Sequence, residues 1–367
     1  MDQRKAGIVI GSVKVVNEAH GNGWAFYQAD AVEFARQLPD NSVGFNLHSP
    51  PFSHLYTYSD SANDMGNCLD DAQFFAQYRF LIREQLRVMM PGRLVAVHCK
   101  ELVDYQSSAG RSGLRDFPGE IIRVYEEEGF KFHSRVTVWK CPVTERARTN
   151  AHGLLYKTLR ADGSFSRQGV AECVLVFRKW PRNETEQAIA DANPVRHWNP
   201  TPKRGDVAEP AAGDEMPLET WQEWASPVWM DIDQTDVLNV KKSREDRDEK
   251  HMCPLQLDLI ERCVVLWSNA GDVVWSPFAG IGSEGVGALK RHRKFVGSEL
   301  KESYWKSGCV ELASAEPGAK GSQMSLLSLM TNATPAVQLP PKLPKGSRRP
   351  GERKAKAKEV ASVEEET

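Results

Sequence analysis

The sequence predicts an α/β fold built on a mostly parallel, twisted sheet. Three observations carry that prediction. Apolar strand runs alternate with segments of helical periodicity through residues 8–140, and the alternation returns after residue 251. Two short turn motifs also stand at strand carboxyl ends, where such sheets bind ligands.

Taken in order, Ile8–Val16 reads as a strand and Ala31–Gln37 as a short amphipathic helix closed by Pro39-Asp40-Asn41. Val43–His48 is an apolar strand that runs into Ser49-Pro50-Pro51-Phe52. Asp71–Met90 carries Phe74, Phe75, Tyr78, Leu81, Ile82, Leu86 and Met89 at helical spacing. It starts behind an Asp70 N-cap and stops at Pro91-Gly92. Arg93–Cys99 reads as a buried strand, Phe117–Gly129 as a helix and Lys131–Lys140 as a strand. Asn183–Glu215, with four prolines, reads as a linker or surface loop. Trp221, Trp224 and Trp229 then cluster, and Lys241–Lys250 is densely charged. Leu255–Trp267 is helical and Asp272–Trp275 a strand. Ser276-Pro277-Phe278-Ala279-Gly280-Ile281-Gly282 leads into a helix through Leu289, then a strand from Lys294 to Gly297 with Glu299 at its end. Residues beyond Ala315 are rich in Pro, Ser, Lys and Glu and are expected to be disordered. The expected division is 1–182, an insertion at 183–250, 251–315, and a tail at 316–367.

Composition bounds the function. The 367 residues are 41% hydrophobic, enough for a large core. Net charge is -2, so contact with nucleic acid has to come from local patches such as Arg146, Arg148, Lys157, Arg160 and Arg167. The tail stretch Lys342–Lys358 could add non-specific attraction or be merely solvated. Seven scattered cysteines without a Cys-x-x-Cys pair suit reduced thiols in a cytoplasm better than disulfides or zinc. No run of eighteen apolar residues predicts a membrane helix, and Gly11, Ser12 and Lys14 interrupt any signal-peptide pattern.

Both motifs have chemical uses. Glycines at a strand-to-helix turn admit a ligand close to the backbone, and the helix start presents free N–H groups. An acidic residue such as Glu299 at the next strand end suits two ribose hydroxyls. The alternative is a turn whose glycines serve packing alone. At the other motif, two prolines fix φ and remove two donors. Ser49 Oγ and the Pro50 carbonyl could together accept both protons of one aromatic amine, aiming its lone pair, while Phe52 offers a face for stacking. Chance alone would place a string of the form [DNS]-P-P-[FYW] in a chain of this length roughly 1–2% of the time.

These motifs resemble those of the DNA amino-methyltransferases that make N6-methyladenine or N4-methylcytosine. The catalytic motif of that family is [DNS]-P-P-[YFW], and a large subgroup carries D-P-F-x-G-x-G-T for the cofactor. The order here, catalytic motif first and cofactor motif last, resembles the β subgroup. Asp30 with the stretch to Val43 resembles G-D-x(6)-L-P-D-x-S-V, whose Asp lies near the cofactor adenine. Leu86-Arg87-Val88 with Pro91-Gly92-Arg93 resembles L-R-V-L-K-P-G-G. His251-Met252-Cys253-Pro254-Leu255-Gln256 resembles the H-P-x-Q-K-P segment that borders the cofactor methionine. The resemblance spans roughly residues 24–181 and 251–310 and is close to phage and prophage versions. Ser49 stands where many adenine enzymes carry Asp, Ser276 stands where the family has Asp before Pro-Phe, and Gly280-Ile281-Gly282-Ser283 replaces G-S-G-T.

The resemblance implies a Rossmann-like methyltransferase fold with permuted motif order and S-adenosyl-L-methionine as cofactor. It implies double-stranded DNA as partner, a flipped base as substrate and a cytoplasmic site of action, in a bacterial host if phage-encoded; a restriction-modification setting and a homodimer are compatible with it. Ser49, Pro50, Pro51 and Phe52 would be catalytic. Asp30, His251, Pro254, Phe278, Gly280, Gly282 and Glu299 would hold the cofactor, and His54, Tyr56 and Tyr58 would line the base pocket. No metal and no covalent cysteine are needed. His48, His54 and His98 read as structural or surface residues, and Trp221, Trp224, Trp229 and Asp231 as either DNA contacts or a satellite core. Two alternatives stand: an RNA or small-molecule amine methyltransferase, and a non-catalytic DNA-binding module with a decayed cofactor site.

Overall fold

The computed structural model describes residues 15–53, 64–104, 110, 113–149, 154–196, 218–239 and 254–316. Among these, ten α-helices follow one another: α1 (Ala31–Ala35), α2 (Asp71–Val88), α3 (Phe117–Glu127), α4 (Pro142–Thr149), α5 (Tyr156–Ala161), α6 (Glu184–Ala192), α7 (Leu218–Trp224), α8 (Leu257–Trp267), α9 (Ser283–Lys290) and α10 (Glu302–Ser314). A nine-stranded sheet runs β1 (Asn17–Gly21), β2 (Trp24–Gln28), β11 (Lys294–Glu299), β10 (Val273–Ser276), β3 (Val43–His48), β4 (Met89–Cys99), β8 (Glu172–Arg178), β7 (Lys131–Val138), β9 (Val228–Trp229). β5 (Leu102–Asp104) and β6 (Gly113–Arg115) form a separate ribbon. The central strands β2, β11, β10, β3 and β4 are parallel, as the alternating pattern predicts. β8 runs antiparallel to β4, and β7 antiparallel to β8.

Side-chain alternation along the strands splits the core into two layers. On one face Tyr27, Val95, Val97, Leu175 and Phe177 pack with Phe34 of α1, Phe74, Tyr78 and Leu81 of α2, and Phe117 and Tyr125 of α3. On the other, Phe26, Phe45, Leu47, Ala96 and Val174 pack with Ile260 of α8, Val286 of α9 and Leu312 of α10. α2 forms where expected because Asp70 accepts the Gln73 N–H at 2.8 Å while Gln73 Oε1 takes the Leu69 N–H at 2.7 Å. Each fully buried Phe or Leu on its inner face contributes about 1.5–3 kcal/mol. No helix among the described residues is long and apolar enough to cross a membrane.

Several elements depart from the sequence reading. The expected strand Ile8–Val16 falls almost wholly outside the described residues, and the first strand begins at Asn17. β2, β8 and α10 went unread. β1 and β2 are joined by Asn22-Gly23, a two-residue hairpin signal, with Gly23 at φ +88°. The segment from Asn183, expected to be a linker, opens with α6. The Asn183 side chain caps it by accepting the Glu186 N–H at 2.9 Å, and Ala190 packs over Gly92 of β4.

Two buried arginines brace the frame. Arg93 forms an ion pair with Asp272 and donates to Gly44 O at 2.9 Å, tying together the amino ends of β4, β10 and β3. Arg262 donates to both oxygens of Asp231 at 3.1 and 3.0 Å and lies over the rings of Trp224 and Trp229, 5.3 and 5.0 Å from their centroids. Trp224 and Trp229 are therefore core residues, β9 extends the main sheet beside β7, and Trp221 stays exposed.

Candidate active site

The sheet order brings the two motifs together. β10 lies beside β3, with Trp275 opposite Asn46, so the loop after Ser276 emerges next to the turn after His48. The rings of Phe278 and His48 are 5.9 Å apart. Some 230 residues of sequence separation thus close into one cleft at the carboxyl ends of parallel strands.

The Ser49-Pro50-Pro51-Phe52 turn is held at both ends. At its exit, Ser53 adopts φ +52° and its N–H bonds to Pro51 O at 2.9 Å. Ser53 Oγ donates to Asp71 in the first turn of α2, and Arg115 grips the same carboxylate at 2.6 and 2.7 Å and Asp104 at 3.0 Å. At its entry, His48 is fully buried. Its Nδ1–H donates to Asn46 Oδ1 at 2.7 Å, and the Tyr78 hydroxyl donates to its Nε2 at 2.8 Å. The Tyr125 hydroxyl lies 3.1 Å from that of Tyr78 and donates to Gln85 Oε1 at 2.7 Å. Burial pushes the His48 imidazole down to about 3, so it stays neutral.

Ser49 itself belongs to a chain of polar groups. Its Oγ is 2.9 Å from His98 Nδ1, His98 Nε2 is 3.0 Å from Glu172 Oε2, and Lys140 Nζ is 2.6 Å from that same oxygen. His98 and Lys140 are buried, and Glu172 is nearly so. Burial alone would raise the Glu172 carboxyl, but the neighbouring His98 and Lys140 outweigh it and leave the group below its ordinary value. His98, expected to be a structural or surface residue, is buried, and it contacts Ser49 at the head of the Pro-Pro turn.

The second loop has the geometry its glycines imply. Gly280 has φ +53° and Gly282 φ +85°, conformations that cost other L-residues about 1 kcal/mol or more. Gly282 is the N-cap of α9, and a Cβ there would press on Leu312 and Gly308. A Cβ on Gly280 would meet nothing within 4 Å, so the loop borders open space. The Gly280 N–H donates to Glu299 Oε2 at 2.8 Å and the Lys301 N–H to Glu299 Oε1 at 2.9 Å. Burial pushes the Glu299 carboxyl up to about 7, against the pull of those N–H groups. Asp30 follows the adjacent strand β2 and caps α1, accepting from Val32 N and Glu33 N at 3.0 and 2.9 Å; burial raises its carboxyl. Ser276 Oγ is fully buried and has no hydrogen-bond partner among the described residues. A cradle with two carboxylates at neighbouring strand ends and a glycine turn over open space fits a nucleoside whose hydroxyls donate to Glu299.

Of the expected site residues, Asp30, Ser49, Pro50, Pro51, Phe52, Phe278, Gly280, Gly282 and Glu299 all stand at the carboxyl ends of β2, β3, β10 and β11 or in the loops that follow. Pro254 lies three residues before α8. His54, Tyr56, Tyr58 and His251 lie outside the described residues. The sequence reading missed Glu172, Lys140 and Glu284. Glu284 is buried in the first turn of α9, and burial pushes its carboxyl up to about 8. The one available signal for the polar chain was parity: His98 continues the Leu94–Ala96 face of a strand that is otherwise apolar.

Comparison with known proteins gives a consistent answer. The family model described as DNA methylase, covering the N6 and N4 enzymes, matches residues 46–309. The chain is 24% identical over 304 residues to the type II methyltransferase M.BglII of Bacillus subtilis, covering 83% of this chain and 72% of that protein. It is 38% identical over 67 residues to the DNA adenine methyltransferase YhdJ of Escherichia coli, covering 18% and 23% of the two chains. A candidate DNA modification methylase of Thermus thermophilus, solved with S-adenosyl-L-methionine, shares the fold with a TM-score of 0.53. It is 21% identical, and the match covers 79% of this chain and 95% of that one.

Proposed function

The chain belongs to the N6/N4 DNA methylase family, and on that premise we propose that it methylates the exocyclic amine of a base flipped out of duplex DNA. The observation that carries this reading is the meeting of two loops: the Ser49 turn and the Phe278–Gly282 turn leave adjacent parallel strands and face one cleft. S-adenosyl-L-methionine is the methyl donor, and when bound it supplies an electrophilic methyl on a sulfonium sulfur. Glu299, Gly280 and Asp30 would receive its nucleoside. Ser49 Oγ and the Pro50 carbonyl would accept the two amine protons, turn the nitrogen lone pair toward the methyl carbon, and stabilise the positive charge that develops on nitrogen. Phe52 would stack on the base. The prolines and the Ser53–Asp71–Arg115 anchor keep that geometry from relaxing.

Ser49 favours cytosine N4 over adenine N6, because it offers a neutral hydroxyl where many adenine enzymes resembling this chain have a carboxylate. Duplex DNA, tRNA and free nucleosides incubated with tritiated cofactor give the test. Label is expected in DNA, and nucleoside digestion with mass spectrometry is expected to release N4-methylcytosine. Transfer to tRNA alone would overturn the reading, and N6-methyladenine would overturn the choice of base. Ser49→Ala is expected to lower kcat by about 100- to 1,000-fold with cofactor affinity kept.

A further inference from the structure

We propose that Ser49, His98, Glu172 and Lys140 form a proton relay that takes up the proton lost by the amine on methylation. The inference rests on the functional reading above and adds to it a destination for that proton.

The geometry comes from the sheet itself. β3, β4, β8 and β7 are consecutive neighbours, and the four residues come one from each strand or its immediate extension. Each continues the same face as the apolar residues beside it. Phe45 and Leu47 lead to Ser49, Leu94 and Ala96 to His98, and Val136 and Val138 to Lys140, while Val176 and Val174 lead back to Glu172. A row of polar groups thus runs across the sheet at the cleft end of an otherwise apolar surface. Buried polar groups are costly unless they are paired. Here they pair with one another in line, at 2.9, 3.0 and 2.6 Å.

The hydrogen-bond inventory then assigns the protons. Glu172 Oε2 is an acceptor, so His98 donates to it through Nε2–H. Nδ1 is left as the acceptor and receives the Ser49 hydroxyl proton. With that proton turned inward, the lone pairs of Ser49 Oγ are available to the amine. During transfer the amine nitrogen forms the new N–C bond with its lone pair as the S–C bond breaks, and the pair of that bond stays on sulfur. The methylated nitrogen then gives one proton to Ser49 Oγ, while the Ser49 hydroxyl proton passes to His98 Nδ1. His98 becomes an imidazolium facing Glu172, whose carboxylate Lys140 holds ionised. Release of that proton to water resets the chain.

Arg135 of β7 and Glu101 beyond β4 lie near Cys99, and two other charged groups on the flanking elements are paired. Lys100, just after β4, pairs with Glu145 of α4 at 3.5 Å, and Arg262 of α8 pairs with Asp231 and Asp258. His98 therefore acts through Ser49, as a positioning and proton-holding residue, in the way a base and its orienting carboxylate serve a hydroxyl in other enzymes.

The full chain with duplex DNA tests this. His98→Asn keeps an amide oxygen near the Nδ1 position but cannot hold a proton. It is expected to lower kcat by at least ~100-fold and to remove the acid limb of the pH–rate profile. Its cofactor affinity, read by calorimetry, should stay at the wild-type value. Glu172→Gln is expected to move the acid limb to lower pH, since the imidazolium loses its counter-charge. Nitrogen-15 histidine spectra of the wild type give a readout independent of turnover and should place the His98 proton on Nε2. A proton on Nδ1, or a His98→Asn enzyme with wild-type kcat and an intact acid limb, would overturn the relay. If the wild type itself transfers no methyl group to DNA, the functional reading fails instead, and the spectra still decide the hydrogen-bond assignment.

Discussion

His48 and His98 end neighbouring parallel strands one residue out of register, and they serve opposite faces of the sheet. His48 is enclosed by Asn46, Tyr78, Tyr125 and Gln85, all uncharged, and burial holds its imidazole neutral. His98 is linked on one side to the Ser49 turn and on the other to a carboxylate with its own ammonium partner. The difference lies in how each network ends. A closed ring of neutral groups can fix a strand end but has nowhere to hold a charge. An open chain terminated by an ion pair can accept one. Buried networks of the first kind rigidify, and those of the second kind can join a reaction.

The largest effect expected from this contrast is on turnover. The ~100-fold loss of kcat in His98→Asn should exceed any loss in His48→Phe measured on the folded fraction, and the reverse order would break the comparison. Stability should respond the other way. His48→Phe takes one partner each from the Asn46 and Tyr78 side chains, leaving them only Gln85 and Tyr125, and at about 1 kcal/mol or more per lost buried hydrogen bond it should lower the urea midpoint below that of His98→Asn. The pH dependence sharpens the same point. The His48 imidazole sits near 3 when folded and has an ordinary value of 6.5, so below 6.5 the unfolded chain binds the proton first. Stability from this group is therefore present above pH 6.5 and lost as pH falls from there toward 3. Urea titrations should show a slope of at most ~1.4 kcal/mol per pH unit that disappears in His48→Phe. The smallest effect belongs to Tyr125→Phe, which removes one hydroxyl from Gln85 and should cost about 1 kcal/mol without moving the pH–rate profile.

What could be read from the chain followed the range of the interactions. The Ser49 turn, the Gly280–Gly282 turn and the N-cap of α2 are set by residues within a few positions of one another, and they stand where expected, whereas α2 ends at Val88 and β4 runs through the Pro91-Gly92 pair expected to stop the helix. β8 escaped because it is buried on both faces and lacks alternation, and α6 because its only apolar residues are Ile189 and three alanines, too few to show a periodic face. The polar row was illegible for a different reason. Ser49 to His98 spans 49 residues and His98 to Glu172 spans 74, so their contact depends on β8 and β7 adding antiparallel beyond β4. Nothing local to Glu172 or Lys140 distinguishes them from solvated charges. Ser276 marks the opposite case. Its departure from the family pattern was visible in the chain, but only the fold shows that its hydroxyl is buried without a hydrogen-bond partner among the described residues.

The permuted sheet order has a consequence for how the enzyme is born. β2 and β3 emerge early from the ribosome, yet the two strands that separate them, β10 and β11, are translated more than 220 residues later. Without those strands the sheet order is broken at its centre, where the Phe278–Gly282 loop leaves β10. Closing that gap also brings Glu316 back to the first hairpin, where it accepts from Trp24 Nε1 at 2.8 Å and from the Asn22 N–H at 3.1 Å. The two halves of the site therefore meet only through strand pairings of long sequence separation, the kind that makes folding slow.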